Sequence, residues 1–317
     1  MNAIDRLVEQ IKKKNNPTVM GLDPRIESVP AYIKNEAYKK YGQTLKGASE
    51  AILEFNKKLI DATADLIPAV KPQMAFFELL GEEGVRVFRE TCEYAKAKDL
   101  LVIGDVKRGD IGSTAEAYSS AYLGKVKIEQ REQAVFDIDF ITINPYLGQD
   151  SIEPFLEDCT RYGKGIFILV KTSNKSSGDV QDILNFGGKF LFEHVAGLVD
   201  KWGKVLVGQS GYSAVGAVVG ATYPDQIITL REVLEKAFIL VPGYGAQGGT
   251  SADAAKAFKK DGLGAIVNAS RSIAQAYKSD RWKNTYCEER FDEVARVEVI
   301  RMRDELNKEI ARKITGH

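Results

Sequence analysis

The chain has 317 residues with a hydrophobic content of 44%, and its 44 Lys and Arg residues balance its 44 Asp and Glu residues. This balance leaves no basic excess that would attract nucleic acid or an anionic membrane, and no apolar run approaches the roughly 20 residues of a membrane span. Two histidines, His194 and His317, are too few for a His-dependent catalytic triad or a His-rich zinc site.

The N-terminal segment predicts an amphipathic helix and not a signal peptide, because residues 1–14 alternate charged residues with apolar ones at helical spacing. The three cysteines lie far apart and lack CxxC spacing, which favours a reducing compartment: Cys92, Cys159 and Cys287. We therefore expect a cytoplasmic protein.

Eight short apolar runs rich in Val and Ile recur along the chain, with longer helix-like segments between them. The predicted strands are residues 18–23, 67–71, 101–107, 139–144, 165–172, 215–221, 238–242 and 264–268. The predicted helices include residues 51–66, 83–98, 189–201, 223–237 and 251–260. Such alternation indicates a parallel sheet covered by helices, and eight units in this length favour a closed (β/α)8 TIM barrel, an α/β fold. We expect residues 1–317 to form one domain with a barrel core at about residues 17–275.

Two regions exceed what such a barrel needs. Residues 25–46 form a polar insertion after the first strand that is rich in Tyr and Lys. Residues 281–314 form a C-terminal extension with an apolar stripe at helical spacing: Ala295, Val299, Met302, Leu306 and Ile310. The stripe predicts a helix packed on the outside of the barrel, and a partner-binding helix is the alternative.

Polar residues follow nearly every predicted strand, at the end of the barrel where active sites of this fold lie. They are Asp23, Lys71, Asp105, Lys107, Asn144, Thr172, Ser173 and Arg271. Any one of them could simply cap a loop, but together they predict a site. Asp105 and Lys107 are two apart, so a regular strand points both to one side, and Asp110 follows beyond the strand end.

Two loops predict a phosphate site. Residues 241–249 form a Gly-rich loop after the seventh strand, and residues 268–272 follow the eighth. Barrels often bind phosphate with these two loops and a helix N-terminus. Backbone N–H groups, the Gln247 amide and the Arg271 guanidinium suit a phosphate dianion, whereas the alternative is a plain Gly-rich turn beside an exposed Arg.

A cluster of Asp and Lys residues beside a phosphate site predicts a cofactor-free enzyme that acts on a phosphorylated small molecule. Two chemistries stay open at this point. One lysine could form a Schiff base with the substrate. Alternatively, an ammonium group held by carboxylates could donate a proton and stabilise a carbanion.

Six motifs carry a resemblance to a known family. They are Gly21-Leu22-Asp23-Pro24, Lys71-Pro72-Gln73 with Phe76-Phe77-Glu78, residues 105–111 (Asp-Val-Lys-Arg-Gly-Asp-Ile), residues 144–148 (Asn-Pro-Tyr-Leu-Gly), residues 242–249 (Pro-Gly-Tyr-Gly-Ala-Gln-Gly-Gly) and Asn268-Ala269-Ser270-Arg271. In their order along the chain they resemble the orotidine 5′-phosphate decarboxylase family, and within it the longer bacterial subgroup.

The resemblance implies conversion of orotidine 5′-monophosphate to uridine monophosphate and carbon dioxide in de novo pyrimidine biosynthesis, by a homodimer that uses no cofactor and no metal. It implies that Lys71, Asp105 and Lys107 come from one subunit and Asp110 from its partner. Lys107 is then the proton donor to C6, and Asp105 lies beside the departing carboxylate. The Lys107 ammonium would stabilise the carbanion that develops at C6.

The resemblance also implies a set of substrate-binding residues. They are Asp23, Lys71 and the partner's Thr114 at the ribose, Ser173 at the pyrimidine, Gln247 and Arg271 at the phosphate, Gly249, Ala269 and Ser270 as backbone donors, and Ile111 of the central motif. Ser176 and Ser177 are close enough in the chain to be alternatives to Ser173.

Two other functions are weighed against this one. The first is a related phosphate-binding barrel that makes or breaks a carbon–carbon bond with the help of a metal. The second is an inactive barrel that binds a nucleotide as a regulatory module. The intact set of Lys71, Asp105, Lys107 and Asp110 argues against the second.

Overall fold

The computed structural model describes residues 1–245 and 248–315. Its strands are β1 Thr18–Leu22, β2 Ala69–Pro72, β3 Leu101–Arg108, β4 Val126–Ile128, β5 Arg131–Gln133, β6 Phe140–Ile143, β7 Gly165–Lys171, β8 Ser213–Val219, β9 Ala237–Val241 and β10 Ala265–Ala269. Eight of them close into a barrel of parallel neighbours in the order β1-β10-β9-β8-β7-β6-β3-β2. The predicted TIM barrel is confirmed, and each predicted strand is present within two residues of its expected start.

Thirteen α-helices are described in residues 1–245 and 248–315. They are α1 Ala3–Lys14, α2 Ala31–Tyr41, α3 Leu45–Thr63, α4 Met74–Glu78, α5 Gly81–Ala97, α6 Gly112–Tyr122, α7 Glu153–Tyr162, α8 Gly178–Gln181, α9 Leu191–Gly203, α10 Pro224–Val233, α11 Ser251–Ala255, α12 Arg271–Ala274 and α13 Phe291–Thr315. Helices cover the outside of the barrel, so its strands are buried on both faces and can be apolar throughout. In this part of the chain no helix combines the length and apolar character that crossing a bilayer requires.

Helix α1 lies at the end of the barrel where the strands begin. The Ala3 amide donates to the Gly163 carbonyl at 2.8 Å, and Arg6 pairs with the buried Asp139 at 2.5 Å. Gly163 and Asp139 stand just before β7 and β6, so α1 is on the side opposite the strand carboxyl ends. The other end of the barrel is therefore left open for a site.

The polar insertion at residues 25–46 contains helix α2, which packs on α3. Only Ile33 of α2 is buried, so the sequence carries no apolar stripe that would have predicted this helix. The Tyr277 hydroxyl donates to the Ser28 carbonyl at 2.8 Å, which ties the insertion to the C-terminal extension. The sequence does not predict the hairpin of β4 and β5 either, because all six of its strand residues are exposed and carry no apolar pattern.

The C-terminal extension forms α13, which begins at Phe291 rather than near residue 281. All five predicted stripe residues of α13 are buried, and Phe291 stacks on Phe55 of α3 with ring centroids 4.9 Å apart. The prediction of a helix packed on the barrel is confirmed.

Candidate active site

Three charged side chains meet at the carboxyl ends of β2 and β3. The Lys71 ammonium donates to Asp105 Oδ2 at 2.6 Å, and the Lys107 ammonium donates to Asp105 Oδ1 at 2.5 Å. Lys71 and Asp105 are buried, whereas the side chain of Lys107 is 47% exposed. Two ammonium groups thus share one carboxylate, and Lys107 is the accessible member of the cluster.

Thr142 on β6 completes this cluster, although sequence reasoning missed it. Its hydroxyl donates to Asp105 Oδ1 at 3.0 Å and accepts from the amides of Val106 and Lys107, each at 3.0 Å. Thr142 stands inside the apolar run of a strand, where threonine is an ordinary residue. Only the pairing of β3 with β6 shows that it faces Asp105.

The period-two geometry expected for Asp105 and Lys107 is not regular in the structure. Lys107 has a φ of 46°, and the pairing of β3 with β6 shifts register between Gly104 and Arg108. A positive φ in a lysine is uncommon and costs backbone energy. The two side chains still meet, and the Thr142 hydroxyl accepts from the Val106 and Lys107 amides within this irregular stretch.

The charges in the cluster stabilise one another. Burial alone raises the pKa of Asp105, but the ammonium groups of Lys71 and Lys107 outweigh burial and hold that pKa well below its usual range. Burial alone lowers the pKa of Lys71, but the negative charges of Asp105 and Asp23 outweigh it and raise that pKa. Both groups are therefore ionised at neutral pH.

A cavity of about 450 Å³ opens above this cluster. Its lining includes eight residues proposed from the sequence: Asp23, Lys71, Asp105, Lys107, Thr172, Ser173, Ser270 and Arg271. The structure adds polar residues that the sequence did not single out as site residues: Gln73, Thr142, Asn174, Tyr244 and Asn268. Apolar side chains of three strands, Leu169, Val218 and Leu240, form the rest of the wall with Pro242. The cavity thus combines a charged floor with apolar sides.

The loops after β9 and β10 form one end of the cavity. Arg271 and Ser270 begin α12 there, and a Cβ on Gly21 would lie 1.9 Å from the Ser270 hydroxyl, so a larger residue at position 21 would displace Ser270. The predicted donor Gly249 gives its amide to the Gly243 carbonyl at 3.1 Å. The predicted residue Ala269 is buried in β10, and Gln247 lies outside the described residues.

The loop after β7 forms the opposite end, and it separates the three candidate serines. Ser173 lines the cavity. Ser177 is buried and donates to the Tyr223 hydroxyl at 3.1 Å, while Ser176 is exposed outside the cavity wall. A Cβ on Gly220 would lie 2.8 Å from the Ser173 backbone, so the loop after β8 supports this segment at close range.

Besides Gly249 and Ala269, four residues that the sequence singles out do not line this cavity: Asp110, Ile111, Thr114 and Asn144. Asp110, Ile111 and Thr114 lie at the start of α6, where Asp110 Oδ1 accepts from the Ile111 amide at 2.8 Å. Asn144 accepts from the Tyr146 amide at 3.1 Å and so caps its own loop. Within the residues that the structure describes, no three His, Cys, Asp or Glu side chains are grouped to hold a metal ion.

Comparisons with known proteins agree on one family. The family model described as "Orotidine 5'-phosphate decarboxylase / HUMPS family" matches residues 19–281. The chain is 47% identical over 290 residues to an orotidine 5'-phosphate decarboxylase of Caldicellulosiruptor saccharolyticus, covering 90% of this chain and 95% of the relative. It is 41% identical over 306 residues to the protein of that name from Rhodopirellula baltica, covering 96% and 99%.

Solved structures show the same likeness. Leishmania donovani OMP decarboxylase has 30% sequence identity and a TM-score of 0.69, covering 96% of this chain and 100% of that one. The orotidine 5'-monophosphate decarboxylase of Plasmodium berghei has a TM-score of 0.74 over 95% of this chain and 98% of that one. Its 19% identity supports the fold alone.

Proposed function

The chain belongs to the orotidine 5'-phosphate decarboxylase / HUMPS family and is a carboxy-lyase, and we propose that it converts orotidine 5′-monophosphate to uridine monophosphate and carbon dioxide. The observation that carries this proposal is the Lys71–Asp105–Lys107 cluster, which opens on the same cavity as Arg271. The reaction is the last step of uridine monophosphate synthesis.

The charge arrangement supports proton donation by Lys107 to C6 of the pyrimidine. Lys71 is buried against Asp105, so its ammonium is occupied, whereas Lys107 is accessible from the cavity. An ammonium group fixed where negative charge develops stabilises a carbanion without reorganisation. Asp105, held ionised, would lie beside the substrate carboxylate, and loss of carbon dioxide would relieve that repulsion.

Unpaired polar atoms support the placement of the rest of the substrate. Asp23 Oδ1 and Asn268 Oδ1 are buried without a hydrogen-bond partner among residues 1–245 and 248–315. Buried acceptors of this kind are costly unless a ligand or water meets them. We assign Asp23 to a ribose hydroxyl, Ser173 to the pyrimidine, and Arg271 with the start of α12 to the phosphate.

The residues outside the cavity support a homodimer. Ile111 and Thr114 are exposed, and Tyr146 and Leu147 on the neighbouring loop are exposed as well. The two segments are adjacent, because a Cβ on Gly109 would lie 2.9 Å from the Asn144 carbonyl oxygen. A second copy that covers this apolar surface would bring its Asp110 and Thr114 to the cavity, where Asp110 would give Lys107 a second carboxylate.

The test is a spectrophotometric assay with orotidine 5′-monophosphate in excess EDTA and without added cofactor. We expect loss of the orotate absorbance, with uridine monophosphate identified by chromatography. Turnover under these conditions would exclude a dependence on dissociable metal. A folded protein that leaves the substrate unchanged would overturn the proposal, and sugar phosphates with added divalent metal would be tried next.

A further inference from the structure

Tyr244 joins the loop after β9 to the C-terminal helix. It stands between Gly243 and Gly245, lines the cavity and is 7% exposed. Its hydroxyl donates to Glu305 Oε2 on α13 at 3.0 Å. Burial, and then the negative charge of Glu305, raises the pKa of Tyr244 to about 12, so the hydroxyl stays protonated and remains a donor. A residue of the cavity wall is thus bonded to a helix outside the barrel.

Glu305 is itself held in place by its neighbours on α13. Arg301 donates to Glu305 Oε1 at 2.6 Å and pairs with Glu298 at 2.7 Å. Glu298 is buried and accepts from the Trp282 indole at 2.6 Å. Residues three and four apart share one face of a helix, so these groups form a continuous row that ends at the cavity.

The described residues of this loop, 243–245 and 248–249, depend on glycine and on bonds to one another. Gly243, Gly245 and Gly248 have φ angles of 91°, 70° and 93°, which few residues other than glycine adopt. The Gly245 amide donates to the Gly249 carbonyl at 2.9 Å, and the Gly249 amide donates to Gly243 at 3.1 Å. These bonds join the two arms of the loop to each other, so fixing Tyr244 fixes both.

We propose that Tyr244 and Glu305 are a positioning pair, through which α13 holds the two described arms of the loop, residues 243–245 and 248–249, in place to receive the phosphate of the substrate. The inference rests on the proposed function, because it takes this end of the cavity as the phosphate site. It makes the C-terminal helix a part of ligand binding, beyond its role in covering the barrel.

The test compares two competitive inhibitors that differ only in phosphate, uridine monophosphate and uridine. For Tyr244→Phe and Glu305→Ala we expect the inhibition constant of uridine monophosphate to rise about tenfold, as for loss of one hydrogen bond that positions a binding loop. The ratio of the uridine constant to the uridine monophosphate constant should therefore fall about tenfold. The inhibition constant of uridine itself should stay within about twofold. The double variant should lose no more than either single variant, because both remove the same bond.

Asp304→Asn is the matched control, because Asp304 neighbours Glu305 but pairs with Arg303 on the exposed side of α13. Thermal melting checks that each variant is folded. If Glu305→Ala does not fold, Tyr244→Phe still tests the inference, because it removes only the hydroxyl oxygen. An unchanged ratio in Tyr244→Phe, or equal weakening of uridine and uridine monophosphate, would overturn the inference. A wild-type protein that binds both ligands equally would instead overturn the phosphate site itself.

Discussion

The Lys71 ammonium lies 2.6 Å from Asp105 Oδ2, and both side chains are buried. A charge removed from water needs a partner of opposite sign, and here each provides it for the other. The second oxygen of Asp105 is then free to hold Lys107 and Thr142 at the cavity surface. Lys71 therefore serves the cluster by keeping Asp105 ionised, and Lys107 is the more exposed ammonium, the one that we propose reaches the substrate.

Lys107→Ala should reduce kcat by at least about a thousandfold, because it removes the group that we propose as both the proton donor and the cation facing the carbanion. Binding of uridine monophosphate should change by less than about tenfold, since Arg271 and Ser270 are untouched. Steady-state kinetics and calorimetric titration measure the two effects. Normal turnover by Lys107→Ala would show that the assigned mechanism is wrong.

Lys71→Met should lower the free energy of unfolding by about 3 kcal/mol between pH 5 and 9, because it leaves Asp105 with one buried partner fewer. The pKa of Asp105 is depressed in the folded state, so its contribution is present above the unfolded value near 3.9 and is lost as the pH falls. The pKa of Lys71 is raised, so its contribution is present below about 10.4 and is lost at higher pH.

Urea unfolding at several pH values measures this difference between wild type and Lys71→Met. The difference should be constant from pH 5 to 9 and should shrink below about pH 4, where Asp105 of the variant takes up a proton. Lys13→Met is the control, because Lys13 pairs with Asp99 at the surface and should change stability by less than about 1 kcal/mol. A difference that grows on acidification would contradict the assignment of the charges.

Mixing Lys107→Ala with Asp110→Ala subunits should restore activity if the sites are shared between two copies. A heterodimer would then contain one site with both residues intact, so random pairing of equal amounts should give about a quarter of wild-type activity. Native mass spectrometry measures the heterodimer fraction beside the assay. Confirmed heterodimers without any recovery would count against Asp110 acting across an interface.

Gly21→Ala should destabilise the protein by about 1–3 kcal/mol and weaken phosphate ligands, because its Cβ would lie 1.9 Å from the Ser270 hydroxyl oxygen. Adding Ser270→Gly removes the side chain in the way and should recover part of the lost stability. Thermal unfolding of the two variants measures this recovery. If the stability losses of Gly21→Ala and Ser270→Gly simply add in the double variant, the close contact between the Cβ and the Ser270 hydroxyl is not the cause of the destabilisation by Gly21→Ala.

The eight strands could be predicted because each is an apolar run with buried neighbours on both sides. Helix α2 and the hairpin of β4 and β5 could not, because their residues are mostly exposed and carry no burial pattern. Within the site, charged residues at strand ends were visible in the sequence. Thr142 was not, because its function depends on the register between two strands.

Tyr244 shows a further limit of the sequence. The sequence predicts the Gly-rich loop around Tyr244, but its partner Glu305 stands 61 residues further along the chain in a helix that the sequence predicts only from an apolar stripe. A hydrogen bond between two elements depends on how they dock, which apolar periodicity does not specify. Such long-range polar pairs are found only once the packing is known.

The balance of charges around the cavity determines how an anionic ligand approaches it. Three cationic and two anionic side chains line the cavity in the described residues, Lys71, Lys107 and Arg271 against Asp23 and Asp105. The whole chain is formally neutral, and Asp110 of the partner subunit would offset this single excess positive charge in the proposed dimer. Screening limits its reach to about 8 Å at physiological ionic strength. An anionic nucleotide is therefore oriented at the mouth of the barrel rather than drawn from a distance, and added salt should slow its capture only modestly.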